Sequence, residues 1–335
     1  MDSKKTELAD NIKFQVIDED TKLYETILET LPEIENNLNP ENTLETKIQE
    51  SVTLEDKIKE FIKRENPKLF ILTPCFGGTC YVNYLICLIK TITLFKQLDF
   101  PIQVEFCKND SLVSRARNNL VARAMTDPEM THIMFIDNDI AWDPIDIIKL
   151  IISEKELVGG IYPLKYYDWN KLIKDPQNPY NSNIVQSWLN KRDNSQLRGL
   201  IPDYKIIQHN LLKYNVNYLD NMLQIEDNLA KVKHLATGFM MIRRTVIEQL
   251  MKAFPSTKYT DDINFLKTEE NEFAYALFDC GVEEGHYFSE DWLFCHRWSK
   301  LSKGEDKKHI WMDISIQLTH TGVEDYSGSF ISTII

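Results

Sequence analysis

The sequence predicts an α/β fold in which a mostly parallel, Rossmann-like sheet is flanked by helices and preceded by an acidic helical extension. From residue 67 onward, short apolar runs alternate with longer segments whose apolar residues recur at helical intervals. This alternation favours parallel strands joined by helical crossovers. Residues 1–66 instead hold 17 acidic against 9 basic residues. We therefore divide the chain into an acidic helical extension, 1–66, and a main domain, 67–335.

The first half of the main domain predicts three pairs of strand and helix. The runs KLFILTPCFGG, IQVEFCKND and THIMFIDND predict strands, because each apolar run gives way to turn-forming residues. The connecting helices are predicted in YVNYLICLIKTITLFKQL, SLVSRARNNLVARAMTD and DPIDIIKLIISE, the last opened by Asp143 and Pro144. Ligands of such sheets bind beyond the carboxyl ends of the strands, where the polar loops of this chain lie.

Three further segments complete the predicted domain. HLATGFMMIRR predicts a strand, SEDWLFCHRW a helix and IWMDISIQL a final strand. The stretch between Tyr162 and Lys233 contains too few apolar repeats to predict a core. Its aromatic rings are expected either to stack on a bound ligand or to pack a lid against the domain. These rings belong to Tyr166, Tyr167, Trp169, Tyr180 and Trp188.

The acidic extension predicts short amphipathic helices in ETILETLPEIENNL and TLETKIQESVTLEDKIKEFIKREN, interrupted by Pro32 and Pro40. One interpretation is an appendage that packs on the main domain or is partly disordered. The other is an arm for homo-oligomerisation or for docking a partner.

The composition excludes several classes of protein. A net charge of −13 argues against a broad electrostatic contact with nucleic acid or anionic membrane. No apolar run approaches the roughly 20 residues of a membrane span, and the amino terminus lacks the apolar core of a signal peptide. We therefore expect a cytoplasmic protein without a membrane span. The six cysteines show no metal-binding spacing and are expected to be reduced thiols.

Asp137, Asn138 and Asp139 directly follow the buried-type strand HIMFI. In extended backbone Asp137 and Asp139 face the same side, and Asn138 faces the other. Two carboxylates in one cleft suit Mg²⁺ or Mn²⁺, which prefer oxygen ligands and fill their remaining positions with phosphate oxygens. The alternative is a solvated turn stabilised by an Asx cap. The pattern favours a divalent-cation site that receives a phosphate-bearing ligand.

The order of motifs in the main domain resembles that of nucleotide-sugar glycosyltransferases of the GT-A fold, family 2 type. The motifs are TPCFGG, NDSLVSRARN, FIDND, TGFMMIRR, SEDWLFCHRW and LTHTG, and RARN with FIDND is also similar to the mannan polymerase family. The likeness covers about residues 67–325. It implies a metal-dependent transfer of sugar from a UDP- or GDP-sugar to a hydroxyl group of a glycan or glycoconjugate, with Mn²⁺ or Mg²⁺ as cofactor.

The resemblance also implies roles for the donor-side residues. Asp139 coordinates the metal on the donor diphosphate, while Asp137 supports the ribose, or the metal through water. Gly238 lies at the floor of the donor-sugar pocket, with a simple core strand as the alternative. Arg115 and Arg117 point in opposite helical directions, so only one of them is expected to bind the diphosphate. Arg115 is favoured, with a surface salt bridge as the alternative role for it. The residues expected to border the nucleotide are Thr73, Pro74, Cys75, Asp110, Arg115, Asn118, Asp137 and Asn138.

On the acceptor side, Asp291 matches the general base of inverting transferases, and Glu290 is the neighbouring alternative. Both residues, together with Ser289, would also cap the start of a helix, which is the competing interpretation. His320 follows the final apolar strand and is expected either to complete the metal site or to play a structural part at the strand end.

Other functions stay open at this stage. A nucleotidyltransferase would share the sheet, but the chain lacks a Gly-rich signature with Arg and Lys after the first strand. A catalytically inactive carbohydrate-binding or scaffold protein would not need Asp139 or Asp291. A hydrolase is disfavoured, because neither G-x-S-x-G nor H-E-x-x-H occurs. Stereochemistry is open too, since the mannan polymerase likeness points to retention and an Asp291 base to inversion.

Overall fold

The computed structural model describes residues 54–172, 202–219, 223–301, 308–322 and 324–334. They belong to a compact unit, Val52–Ile335, which is separate from the unit Met1–Ser51. Most of the predicted acidic extension therefore lies outside the described residues, as do Tyr180 and Trp188.

The last helix of the predicted extension packs on the core of the main domain. This helix, α1 (Leu54–Glu65), buries Ile58 and Phe61 in the apolar cluster that also contains Ile147 and Ile151. Burial of two such side chains contributes about 3–6 kcal/mol. The compact unit thus includes this helix, and the predicted boundary at residue 67 falls inside it.

The first half of the main domain alternates strands with helices, as the apolar periodicity predicts. In chain order these elements are β1 (Leu69–Cys75), α2 (Val82–Gln97), β2 (Ile102–Lys108), α3 (Val113–Met125), β3 (His132–Ile136), β4 (Ile140–Ala141) and α4 (Pro144–Ile152). Helix α4 begins at the predicted residue because Asp143 accepts a hydrogen bond from the backbone N–H of Ile145, and Pro144 needs no such partner.

The second half is more varied, and short strands separate its helices. In chain order its elements are β5 (Leu157–Gly160), β6 (Pro163–Tyr167), α5 (Asp203–Leu211), β7 (Leu212–Tyr214), β8 (Asn217–Tyr218), β9 (Ile225–Glu226), β10 (Leu229–His234), β11 (Phe239–Arg243), α6 (Arg244–Ala253), β12 (Gly281–Glu283), β13 (His286–Phe288), α7 (Glu290–Lys300), β14 (Ile310–Asp313), β15 (Gln317–Thr321), β16 (Asp325–Ser329) and α8 (Ile331–Ile334).

The central sheet is mixed, with most of its strands in one direction. Its strand order is β2-β1-β3-β11-β5-β14-β10-β8, and β9 pairs with β10. Strands β1, β2, β3, β5 and β14 run the same way, whereas β11 lies antiparallel between β3 and β5, and β10 is antiparallel to β14. This sheet confirms the predicted α/β class with a mostly parallel, helix-flanked sheet.

The middle of the sheet is buried on both faces. In β3, Ile133 and Phe135 enter one apolar cluster, and the alternate residues Met134 and Ile136 enter the other. A strand covered on both faces reads as a continuous apolar run, which is why HIMFI shows no polar alternation. The polar groups that follow it are consequently concentrated at the carboxyl end of the strand.

The segment IWMDISIQL forms two strands, so the prediction of a single strand was wrong. The first, β14, belongs to the central sheet, whereas β15 pairs with β16 and β4 in a separate three-stranded sheet. The break follows from a local turn, in which Asp313 Oδ1 accepts hydrogen bonds from both the backbone N–H and the hydroxyl of Ser315. This turn sends β15 to the edge of the sheet where β3 ends.

The stretch after Tyr162 contributes to the core, contrary to the prediction. Ile206, Leu212 and Tyr214 are buried, and Tyr162 itself is 8% exposed. Strands β6 and β7 pair with each other in this region. Each apolar run is only a few residues long, which is why the letters alone show no periodicity.

The described portion of the chain contains no helix that is both long and apolar enough to cross a bilayer.

Candidate functional site

The candidate site lies at the carboxyl end of β3, where the chain leaves the buried core. Asp137 is the first residue after the strand, and its backbone N–H donates to the Gly238 carbonyl across from β11, at 3.0 Å. The backbone carbonyl of Asp139 accepts a hydrogen bond from Thr321 N at 2.7 Å. The acidic loop is therefore fixed from both sides, by the start of β11 and by the end of β15.

Asp139, His320 and Lys165 form one cluster at this edge. Oδ2 of Asp139 lies 2.5 Å from Lys165 Nζ and 3.4 Å from His320 Nε2. Burial opposes ionisation of Asp139, but the hydrogen bonds from His320 and Lys165 outweigh it and hold the pKa of Asp139 below its usual range. Asp139 thus stays an anion over a wide range of pH.

The ring of His320 is oriented by a backbone carbonyl. Its Nδ1 lies 2.9 Å from the Pro163 oxygen, so Nδ1–H is the donor to that carbonyl, and Nε2 is the ring nitrogen that faces Asp139. A metal-binding histidine commonly has its second ring nitrogen fixed in this way. Tyr162 packs edge-on against the same ring, with centroids 5.1 Å apart.

The fit of this cluster to a metal ion is partial. Asp139 and His320 offer an oxygen and a nitrogen within reach of one cation, but no group of three or more His, Cys, Asp or Glu ligands occurs among the described residues. Mg²⁺ and Mn²⁺ often use one or two protein ligands and take the rest from substrate phosphates and water. The predicted ligands Asp139 and His320 are therefore adjacent, and the pair could hold a cation only if water or a phosphate supplied its remaining ligands.

Asp137 is part of a second, linked cluster around Arg117. The Arg117 guanidinium is 3% exposed, and its Nη2 lies 2.8 Å from Asp137 Oδ1. Its Nε lies 3.4 Å from Glu290 Oε1, an ion pair without the alignment of a hydrogen bond. Burial opposes the charge of Arg117, but the two carboxylates more than compensate and raise its pKa. Arg117, the arginine not favoured from the sequence, is the one that binds the acidic loop.

Asp291 is partly buried at the start of helix α7. Its Oδ1 accepts hydrogen bonds from the Ser289 hydroxyl and from the backbone N–H of Trp292. Burial and the neighbouring charge of Glu290 raise its pKa nonetheless. Ser289 makes no side-chain capping bond, whereas the Asp291 carboxyl accepts a backbone N–H of the first turn, a contact that agrees with the capping interpretation.

Tyr162 connects the two sides of the site. A Cβ atom at Gly238 would lie 2.7 Å from its ring, so only glycine allows the phenol to lie across the start of β11. Burial, followed by the charge of Asp137, raises the Tyr162 pKa. Gly238, predicted to lie at the floor of the donor-sugar pocket, is therefore covered by the Tyr162 ring rather than open to a ligand.

The residues predicted to border the base are the last three residues of β1. Thr73 is buried, and its Oγ1 lies 2.6 Å from the Tyr84 hydroxyl. Burial raises the pKa of the Cys75 thiol to about 11, so this thiol stays protonated at neutral pH. Pro74 is partly exposed between them. Thr73 and Cys75 therefore shape the end of the strand from inside, and Pro74 is the member of the trio that can meet a ligand directly.

Other predicted nucleotide-binding residues engage partners within the protein. Asp110 accepts two hydrogen bonds from Arg115, at 2.7 and 2.9 Å, and one from the backbone of Leu112. The amide of Asn118 pairs with the backbone N–H and carbonyl of Phe278. These contacts are also compatible with a purely structural part, as packing at the start of α3 and as a salt bridge. Any nucleotide role for Asp110, Arg115 and Asn118 stays a prediction.

Asn138 holds a loop in place. Its side chain donates to the Thr79 carbonyl at 2.7 Å, and its own carbonyl accepts from Tyr81 N at 3.0 Å. The side chain therefore points away from Asp137 and Asp139 towards the loop after β1, as the alternation of the segment predicts.

No family model matches this chain, and no curated protein matches its sequence. Among solved structures, the chain is similar to A197 from STIV, with 15% sequence identity and a TM-score of 0.39, over 79% of this chain and 91% of that chain. A likeness at this level carries no argument about fold or activity, so the functional argument below rests on the site itself.

Proposed function

We propose that this protein is a metal-dependent glycosyltransferase of the GT-A type, which moves a sugar from a UDP- or GDP-sugar to a hydroxyl group of a glycan or glycoconjugate. The observation that carries the proposal is geometric: the buried Arg117 pairs both with Asp137 of the acidic loop and with Glu290, the residue next to Asp291. Two carboxyl groups of these segments also differ in their pKa shifts. The pKa of Asp139 is held low, whereas the pKa of Asp291 is raised. Such a contrast suits one permanent anion and one group that takes up a proton.

The arrangement of the fold supports the same proposal. The acidic loop follows β3, β11 lies antiparallel beside it, and helix α7 brings Glu290 to the buried arginine that holds Asp137. These are the segments whose motifs resemble family 2 glycosyltransferases in sequence. Their convergence on one edge is what a shared donor and acceptor site requires.

Asp291 acts as the general base in this proposal. It removes the proton of the acceptor hydroxyl, whose oxygen then forms a bond to the anomeric carbon of the donor sugar. The bond from that carbon to the diphosphate oxygen breaks, and the nucleoside diphosphate leaves. A raised pKa brings Asp291 closer to the working pH, where general bases are most effective. Attack opposite to the leaving group would invert the anomeric centre.

Asp139 and His320 would hold the divalent cation. Mn²⁺ or Mg²⁺ bound there would neutralise the negative charge that develops on the departing diphosphate. Arg117 keeps Asp137 and Glu290 in fixed positions, because both carboxylates share its buried charge. Tyr162 limits the space next to Gly238 and so restricts the position of the donor sugar.

A thermal-shift screen tests this function. UDP-, GDP- and CMP-sugars are each added with Mn²⁺ or with EDTA, and nucleoside triphosphates serve as the comparison. We expect one UDP- or GDP-sugar to raise the melting temperature only with Mn²⁺, since a ligand at 100 times its Kd adds about 2.7 kcal/mol. Stabilisation by a nucleoside triphosphate alone would indicate a nucleotidyltransferase. No stabilisation by any nucleotide sugar would contradict the proposal and leave a scaffold.

A further inference from the structure

Lys165 occupies the side of Asp139 where a cation would bind. Its Nζ lies 2.5 Å from Oδ2, the oxygen that also faces His320 Nε2 at 3.4 Å. The Lys165 side chain is 33% exposed and that of Asp139 is 19% exposed, so this ion pair faces solvent at the edge of the sheet. A carboxylate oxygen that already holds an ammonium group attracts a second cation less strongly.

The fold directs Lys165 to this position. Strand β6 places Pro163 and Lys165 two residues apart, and alternate residues of a strand face the same side. The Pro163 carbonyl binds the His320 ring, so Lys165 is carried to the same part of the site. Gly322, just after β15, gives the lysine stem its room, because a Cβ atom there would lie 3.1 Å from Lys165 Cδ.

The charges around the site do not balance. When all the acids are ionised, the site contains four carboxylates and two cationic side chains. Its negative charges therefore exceed its positive charges by two. The carboxylates are those of Asp137, Asp139, Glu290 and Asp291, and the cationic side chains are Arg117 and Lys165. One divalent cation would neutralise this excess. A nucleoside diphosphate then adds negative charge, and a cationic side chain that can move is needed to meet it. Arg117 is buried, whereas Lys165 is partly exposed, so Lys165 is the side chain that can do so.

We propose that Lys165 is a diphosphate-binding residue of the donor site. When a divalent cation binds to Asp139, Lys165 leaves Asp139 and binds the donor diphosphate instead. This inference rests on the proposed function, which supplies both the cation and the diphosphate. A divalent cation and an ammonium group on one carboxylate oxygen repel each other, so the cation displaces Lys165. The diphosphate oxygens then offer the ammonium group a replacement partner. Cation and nucleotide consequently bind with positive coupling.

Isothermal titration calorimetry tests the exchange in the parent and in Lys165→Met. Mn²⁺, UDP and GDP are titrated into each protein, separately and together. Without nucleotide, Lys165→Met is expected to bind Mn²⁺ about 5–10-fold more tightly, because a competing cation is gone. With Mn²⁺ present, it is expected to bind the nucleotide at least about tenfold more weakly, because a charge-assisted contact is lost. Lys165→Arg should keep the parental pattern. Lys252→Met, at an exposed position in the last turn of α6, makes the same charge change away from the site.

The outcomes separate this inference from the proposed function. A parent protein that binds neither Mn²⁺ nor a nucleoside diphosphate contradicts the function, and the exchange with it. If the parent binds both and Lys165→Met has parental affinities, the exchange is overturned and the function stands. Tighter Mn²⁺ binding without weaker nucleotide binding, or the reverse, also overturns it, because the exchange requires both. Circular dichroism melting of each variant shows that the comparison is made between folded proteins.

Discussion

Arg117 lies between Asp137 and Glu290, 2.8 Å from an oxygen of the first and 3.4 Å from an oxygen of the second. The three residues come from α3, from the loop after β3 and from α7, which are distant in the chain. A single buried guanidinium therefore holds together the donor-side loop and the helix that carries the proposed base.

Arg117→Met is expected to lower the free energy of unfolding by about 3–5 kcal/mol, because it leaves carboxylates at a buried site without their counter-charge. Urea unfolding measures the loss. The double variant Arg117→Met with Glu290→Gln should recover part of it, since one of the unpaired charges is gone. A single variant within about 1 kcal/mol of the parent would show that Arg117 does not hold the site together.

The site illustrates what the sequence can and cannot predict. Apolar periodicity correctly predicts the strands and helices up to α4, and the acidic residues at the end of β3 are visible because they interrupt an apolar run. Proximity across the chain is not visible in the same way. Lys165 reaches Asp139 only because β6 pairs with β7 and contacts the His320 ring through Pro163, and nothing in IYPLKYY marks that lysine.

The protein partners of Arg115 and Arg117 are likewise not visible in the sequence. The sequence shows that the two point in different directions, but not which direction faces the acidic loop. Arg115 faces Asp110, with which it forms two hydrogen bonds, whereas Arg117 points into the core towards β3.

Asp139→Ala should abolish Mn²⁺ binding without unfolding the protein. The partly exposed Lys165 loses its partner, but such a pair is worth only about 0–1 kcal/mol. Calorimetry with Mn²⁺ and a thermal melt are the two measurements, and Asp325→Ala in the exposed start of β16 is the matched control. Retained Mn²⁺ affinity in a folded Asp139→Ala protein would contradict the metal assignment.

Two truncations separate the extension from the core. Removal of residues 1–51 should leave the nucleotide affinity nearly unchanged, because the compact unit begins at Val52 and every residue of the candidate site lies within it. Removal of residues 1–66 takes away Ile58 and Phe61 and should destabilise the protein by about 3–5 kcal/mol. Equal melting temperatures for the two truncations would show that α1 does not contribute to the core.

Acid should destabilise the fold through buried histidines. Burial, followed by the charge of Arg243, lowers the pKa of His132 from 6.5 to about 4. Because the folded-state pKa lies below the unfolded one, stability is complete above pH 6.5 and is lost as the pH falls towards 4. The loss amounts to about 2 kcal/mol at pH 5.

Urea unfolding of His132→Gln at pH 7.5 and pH 5.0 checks this contribution. The variant should lose about 2 kcal/mol less than the parent over that interval, since its side chain does not titrate. The exposed His286→Gln is the control and should keep the parental difference. If His132→Gln and the parent lose equal stability, His132 is not responsible for the acid sensitivity.

The most direct test of the proposed transfer reaction is Asp291→Asn, with the transfer rate and the donor affinity measured in the same protein. Asn removes the proton-accepting oxygen but keeps the size of the side chain and suits the first turn of a helix, so the fold should change little. We expect the rate to fall by about 10²–10⁴, while the Kd for the donor with Mn²⁺ stays within about twofold, since the donor is held by other residues. A transfer rate within a few fold of the parent would contradict the assignment of Asp291 as the base.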